Sequence, residues 1–192
     1  MALVKTQSLT ASTTSVSGST PDSFNADCII CKDPAKLVAV LTEAVAEKAI
    51  HFVSNGDWST ADLVMMLIER YKPADLFFTT YAIRETQVRQ LVLAKDRGDL
   101  SSITMLIDYR ANVRTPEAFQ LAAMNATAIY LTAIHAKVCV LKTPGVCITI
   151  NGSSNWTTNP RIESGVITLN ANVGEFHIDW IKKVMQNAEI FK

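Results

Sequence analysis

The stretch from His135 to Glu163, HAKVCVLKTPGVCITINGSSNWTTNPRIE, constrains this chain more than any other. Two β-branched, apolar runs flank Thr143-Pro144-Gly145, a tripeptide suited to a tight turn. The pattern predicts a hairpin, with one strand running from His135 to Lys142 and a return strand from Val146 to Ile150. Residues two apart on a strand share a face. His135, Lys137, Cys139 and Leu141 then fall on one side, and Ala136, Val138, Val140 and Lys142 on the other. An imidazole stands beside an ammonium on a strand otherwise built for burial. The return strand leads to Gly152-Ser153-Ser154-Asn155. Such a small polar turn can bring backbone N–H groups, a hydroxyl and an amide close to an anion.

In their order along the chain these residues resemble the signature of the phospholipase D superfamily. That signature is H-x-K, four residues and an Asp, then a strand leading to G-S-x-N, then a Glu. Here H-x-K is His135 and Lys137, G-S-x-N is Gly152, Ser153 and Asn155, and Glu163 closes Asn159-Pro160-Arg161-Ile162-Glu163. Two features depart from the pattern. Lys142 stands at the Asp position, a reversal of charge, and the turn between the strands is a few residues longer than usual. Strict alternation along the strand turns Lys142 away from His135.

The resemblance implies an α/β fold, a mixed β-sheet flanked by helices on both faces. It also implies phosphodiester chemistry without a metal or other cofactor. His135 would attack phosphorus and become transiently phosphorylated, and a second imidazole would protonate the leaving oxygen. A neutral imidazole is a nucleophile near neutral pH, and a protonated one is a general acid. Lys137, Ser153 and Asn155 would donate to the phosphoryl oxygens, and Glu163 would fix an imidazole's tautomer. Family members with a single motif pair into homodimers, so that two motifs make one site. Small single-motif members are often nucleases, which makes nucleic acid, DNA foremost, the expected substrate. Two alternatives remain open at this point. One is a catalytically silent binding or structural protein on the same fold, which Lys142 and the neutral charge favour. The other is a phospholipid hydrolase or transferase.

The rest of the chain fits one such domain. Residues 1–25 hold a Ser/Thr-rich run, TQSLTASTTSVSGSTPDS, too polar to offset its ordering entropy, and read as a flexible tail. Residues 26–192 read as the domain, with 48% of the 192-residue chain apolar. Cap and proline signals predict helices starting at Pro34, Ser59 and Pro116, and further helices are expected over 84–96 and 174–188. Strands are expected over 50–53, 74–81, 103–107, 127–131 and 165–169.

Zero formal net charge argues against a strongly basic coat. No apolar run approaches the ~20 residues of a membrane span, so a cytoplasmic protein without stable membrane association is expected. Cys28 and Cys31 form a C-x-x-C, but zinc needs two more ligands at suitable spacing, and the four cysteines read as free thiols. Arg114, Asn159 and Arg161 could bind phosphate and could equally be ordinary loop residues. His51 and His177 lack the company that distinguishes His135.

Overall fold

The computed structural model of the chain describes residues 13–15, 26–43, 48–54, 56–158 and 161–190. Helices begin where the sequence supplies caps. Asp33 accepts from the Ala35 amide at 2.9 Å and opens α1 (Pro34–Glu43). Ser59 and Asp62 bond each other's backbone N–H at the start of α2 (Thr60–Tyr71), a capping box. Next come α3 (Glu85–Asp96), the single turn α4 (Ala111–Arg114) and α5 (Pro116–Asn125). The last helix, α6 (Ala171–Met185), starts earlier than Gly174 because the Asn170 side chain caps it through the Val173 amide, at 3.0 Å.

The strands are β1 (Thr13–Ser15), β2 (Ala26–Cys31), β3 (Lys48–Ser54), β4 (Ala74–Thr80) and β5 (Leu100–Asp108), then β6 (Ala128–Thr132), β7 (Val138–Lys142), β8 (Cys147–Gly152), β9 (Ser164–Leu169) and β10 (Glu189–Ile190). They form one sheet in the order β1-β2-β3-β9-β8-β7-β4-β5-β6-β10. Pairings β2–β3, β4–β5 and β5–β6 are parallel, and the others are antiparallel. The sheet is therefore mixed, as expected.

Three strands were not foreseen: β1, β2 and the two-residue β10. β2 carries the C-x-x-C, and residues three apart on a strand face opposite ways. Cys28 is accordingly exposed and Cys31 buried, so the pair does not converge on one metal. β1 lies within the stretch read as a flexible tail and pairs with β2 through Thr13↔Ile29, Thr14↔Cys28 and Ser15↔Asp27. The remainder of residues 1–25 lies outside the described residues.

Helices cover both faces, unevenly. Leu37 and Leu41 of α1, Leu63 and Leu67 of α2, Leu91 of α3 and Phe119 of α5 share the main core with one face of the sheet. On the other face, Ile178 of α6 packs on Val138 and Val140 of β7, and Ile181 on Leu106 of β5. Gly174 lets α6 lie close on the hairpin, since a Cβ there would stand 2.0 Å from the Cys147 sulfur. Beyond α6, that same face shows exposed His51 and half-buried Val166 beside a shallow groove of about 470 Å³ that reaches Ser153.

Gly165 is a comparable close approach between strands. A Cβ at this position would stand 2.6 Å from the Phe52 ring and 2.8 Å from the Asn151 carbonyl oxygen. Gly165→Ala should therefore lower stability by about 1–3 kcal/mol, although alanine suits a strand better than glycine. Urea unfolding of the two proteins measures this; an unchanged midpoint would contradict the close approach of β3 and β8 across β9.

Candidate active site

Strand direction gathers the site. β3, β4, β5, β6 and β8 run one way and end at the edge where β7 and β9 begin. In open α/β sheets this carboxyl edge is where ligands bind, because loops there converge over buried strand ends. His135, Lys137, Ser153, Asn155 and Glu163 all lie on segments at this edge.

His135 and Lys137 precede β7 rather than forming part of it. Regular pairing starts at Val138 because a side chain takes the ladder's place just before it. The Thr79 hydroxyl, at the end of β4, donates to the Ala136 carbonyl at 2.9 Å and accepts from the Val138 amide at 3.1 Å. The Gly152 amide bonds the Lys137 carbonyl at 3.1 Å, which fixes the segment against the end of β8. The exposed His135 ring and the half-buried Lys137 ammonium meet as the two-residue spacing predicts. Lys137 Nζ lies 3.1 Å from Nδ1 and 3.4 Å from Nε2 of His135, and donates to the His135 carbonyl at 2.6 Å. Burial pulls the Lys137 ammonium below the ordinary lysine range, and the nearby Glu163 carboxylate opposes that shift.

The Gly-Ser-x-Asn turn is held by its buried tryptophan. Trp156 stacks on Phe78 with ring centroids 4.1 Å apart, and its carbonyl accepts from the Arg84 amide at 3.0 Å. Asn155 is thereby set beside the Thr80 hydroxyl, at 3.4 Å. Glu163 is anchored by its backbone to buried Ser54, which donates its amide to the Glu163 carbonyl at 2.7 Å. In return the Glu163 amide donates to the Ser54 hydroxyl at 3.2 Å. The Glu163 side chain accepts a hydrogen bond from Ser153, so within the chain its carboxylate engages the serine hydroxyl.

The same edge carries a second cluster that sequence reasoning missed, apart from Arg114. Tyr81 follows β4, and its ring centroid lies 5.1 Å from that of His135. The Arg110 guanidinium stands 4.7 Å from the Tyr81 centroid and 5.3 Å from that of Tyr109. Buried Asp108, the last residue of β5, grips Arg110 with both carboxylate oxygens, at 2.6 and 2.9 Å. The Asp108 carboxyl is held below the usual range chiefly by that guanidinium, helped by the Arg110 and Ile134 amides. Arg114 lies 5.4 Å from the Tyr81 centroid and donates to its hydroxyl. A usable signal was present: polar and aromatic residues directly after buried strands, Thr80-Tyr81 and Asp108-Tyr109-Arg110, sit where an α/β sheet presents its ligand edge.

Other candidates stand elsewhere. Lys142 ends β7, roughly 20 Å of extended chain from His135. It turns toward α6 and pairs with Glu175, as alternation required. Its charge is thus absent from the His135 environment. His51 lies on β3, three strands from β7. His177 is half-buried on α6, where the Trp180 indole donates to Nδ1 at 2.9 Å and burial lowers its pKa. Arg161 is exposed, and Asn159 lies outside the described residues. Among the described residues no three His, Cys, Asp or Glu side chains cluster to hold a metal.

No known family model matches the sequence, and no curated protein matches it significantly. Solved structures do. A phospholipase D family member, Nuc from Salmonella typhimurium, superposes with a TM-score of 0.60 at 20% identity, covering 74% of this chain and 97% of its own. NucT from Helicobacter pylori gives 0.59 at 16% identity, over 73% and 97%. TrmBL2, an archaeal chromatin protein with a novel mode of DNA binding, gives 0.51 at 12% identity, over 81% and 58%. The fold is that of the phospholipase D superfamily.

The Asp108–Arg110 pair makes the cluster pH-sensitive. A carboxylate held below its unfolded value of 3.8 contributes stability that is present above pH 3.8 and lost as pH falls through the lower folded value. Asp108→Asn should destabilise the protein by about 1–3 kcal/mol at neutral pH. Its deficit relative to the native chain should shrink on acidification below 3.8. Unfolding free energies across pH check this; a deficit constant down to pH ~2 would refute the pair's role.

Proposed function

From the phospholipase D fold and the pairing of His135 with Lys137 at its carboxyl edge, we propose that the chain is a metal-independent phosphodiesterase, an endonuclease acting on nucleic acid. The observation that carries this reading is the Lys137 ammonium 3.1 Å from His135 Nδ1, beside the Ser153–Glu163 pair. Nuc and NucT, each matched over 97% of its length, support the reading of a small single-motif member.

In the proposed reaction a neutral His135 imidazole attacks phosphorus and the scissile P–O bond breaks. A second, protonated imidazole gives its proton to the leaving oxygen. Water deprotonated by that imidazole then attacks the phosphohistidine, releasing phosphate ester and free His135. Lys137, Ser153 and Asn155 donate to the phosphoryl oxygens, where charge redistributes in the transition state. Ser153 is already ordered by Glu163. The lysine at the motif's aspartate position does not weigh against activity, since it pairs with Glu175 at the other end of β7.

The second imidazole belongs, in this proposal, to a second copy of the chain. An isologous dimer repeats one patch on both sides and so brings two His135 residues to one cleft. The sheet face that α6 leaves open, from β3 to Ser153, adjoins the site. No helix among the described residues is long and apolar enough to cross a membrane. The proposed compartment is the cytoplasm, which suits the chain's four free thiols.

Purified protein should cleave DNA, RNA or a generic phosphodiester in EDTA, and His135→Ala should abolish turnover. Lys137→Ala should cost about 10²–10³-fold in kcat. Turnover should fall on acidification, because only a neutral imidazole attacks. Undetectable turnover on every substrate would sink the enzyme reading, and hydrolysis confined to phospholipid would move it to lipids.

Light scattering should give twice the mass of the 192-residue chain. Full activity from a monomer would remove the shared-site proposal.

A further inference from the structure

The aromatic and basic cluster beside His135 is not used by the chemistry above, and its parts are unequal. Arg110 is committed: both oxygens of buried Asp108 hold it, and its guanidinium lies against two tyrosine rings. It acts as a prop. Tyr109 rests on that prop, and the residue is 51% exposed. Arg114 is bonded to the Tyr81 hydroxyl, and among the described residues no carboxylate pairs with it. A guanidinium has five N–H donors, so Arg114 keeps donors for an anion. Tyr81 joins this rim to the reaction centre, with its ring 5.1 Å from that of His135.

We propose that this rim is a nucleotide subsite for single-stranded nucleic acid, with an unpaired base stacking on Tyr109 and a neighbouring backbone phosphate on Arg114. The inference rests on the reading of the His135 site as one that receives a nucleic-acid phosphodiester. A half-exposed aromatic ring backed by a guanidinium is a stacking platform, and stacking tolerates any base. A duplex hides its base faces, so this rim offers it little. Duplex binding without sequence preference draws on many phosphate contacts across a basic surface. With a formal net charge of zero the chain has no general excess of positive charge for that. Strand recognition here is therefore local, one platform and one cation beside the cleavage point.

The test is fluorescence anisotropy with the full chain carrying His135→Ala, so that nothing is cut. The probes are a short thymidine oligonucleotide, its uridine counterpart, a mixed-sequence duplex and anionic phospholipid vesicles. Single strands should bind at least ten-fold tighter than duplex, and the DNA and RNA arms report which sugar is preferred. Tyr109→Ala should weaken single-strand binding about ten-fold, with Tyr109→Phe close to the parent. Arg114→Ala should weaken it and reduce the slope of log affinity against log salt by about one. Equal binding of duplex and single strand would overturn the proposal. So would unchanged binding in Tyr109→Ala, or binding to vesicles alone. If these binding results hold but the native chain cleaves nothing, the enzyme reading fails and the subsite stands. If the native chain cleaves single strands and Tyr109→Ala binds them undiminished, the subsite alone fails.

Discussion

Two threonine hydroxyls at the end of β4 hold the site together. β4 is a central strand, flanked by β7 and β5. Where its ladder with β7 stops, backbone groups of the neighbouring segment still need partners, because a buried N–H or C=O left unpaired is costly. Thr79 supplies both, accepting from Val138 and donating to Ala136. Thr80 donates to the Ala82 carbonyl at 3.0 Å and lies 3.4 Å from both the Trp156 amide and the Asn155 side chain. The segment bearing His135 and Lys137 and the turn bearing Ser153 and Asn155 are thus tied to one strand end. That common anchor sets their mutual geometry.

A second chain of contacts runs from the core to the same histidine. Asp108 is fully buried and stays charged because Arg110 grips it and two amides donate to it. Arg110 in turn stacks between Tyr109 and Tyr81, and Tyr81 leans on His135. A charged pair of this kind is weak evidence for stability, since desolvation offsets much of the attraction. Its observable consequence is orientation, a planar guanidinium fixed at one angle against two rings. The fold thereby joins the sheet edge that bears His135 to an aromatic rim.

The covering of the sheet is asymmetric. Five helices, α1 to α5, share one core with the sheet, while among the described residues α6 alone packs on the opposite face. The open part of that face borders Ser153, so the same asymmetry leaves an uncovered stretch of sheet beside the site.

Much of this was legible in the residues alone, for local reasons. The cap and proline signals at Asp33-Pro34, Ser59 and Pro116 act within one helical turn and placed their helices, whereas the cap at Asn170 was not read and α6 starts three residues earlier than expected. The period of two sent Lys142 to the other face of β7, and that holds because a strand allows little else; it also put His135 with Lys137, which do meet, although both precede the strand. β2 escaped notice because its cysteines suggested a metal before they suggested a strand, and β1 because three polar residues carry no pattern. Tertiary structure decided what depends on distant chain segments. The bond from Ser153 to Glu163, the propping of Arg110 by Asp108 and the replacement of the ladder by Thr79 join residues that no periodicity relates. Nor could the sequence place Tyr81 against His135, because side chains 54 positions apart meet only once β4 and β6 have taken their order in the sheet.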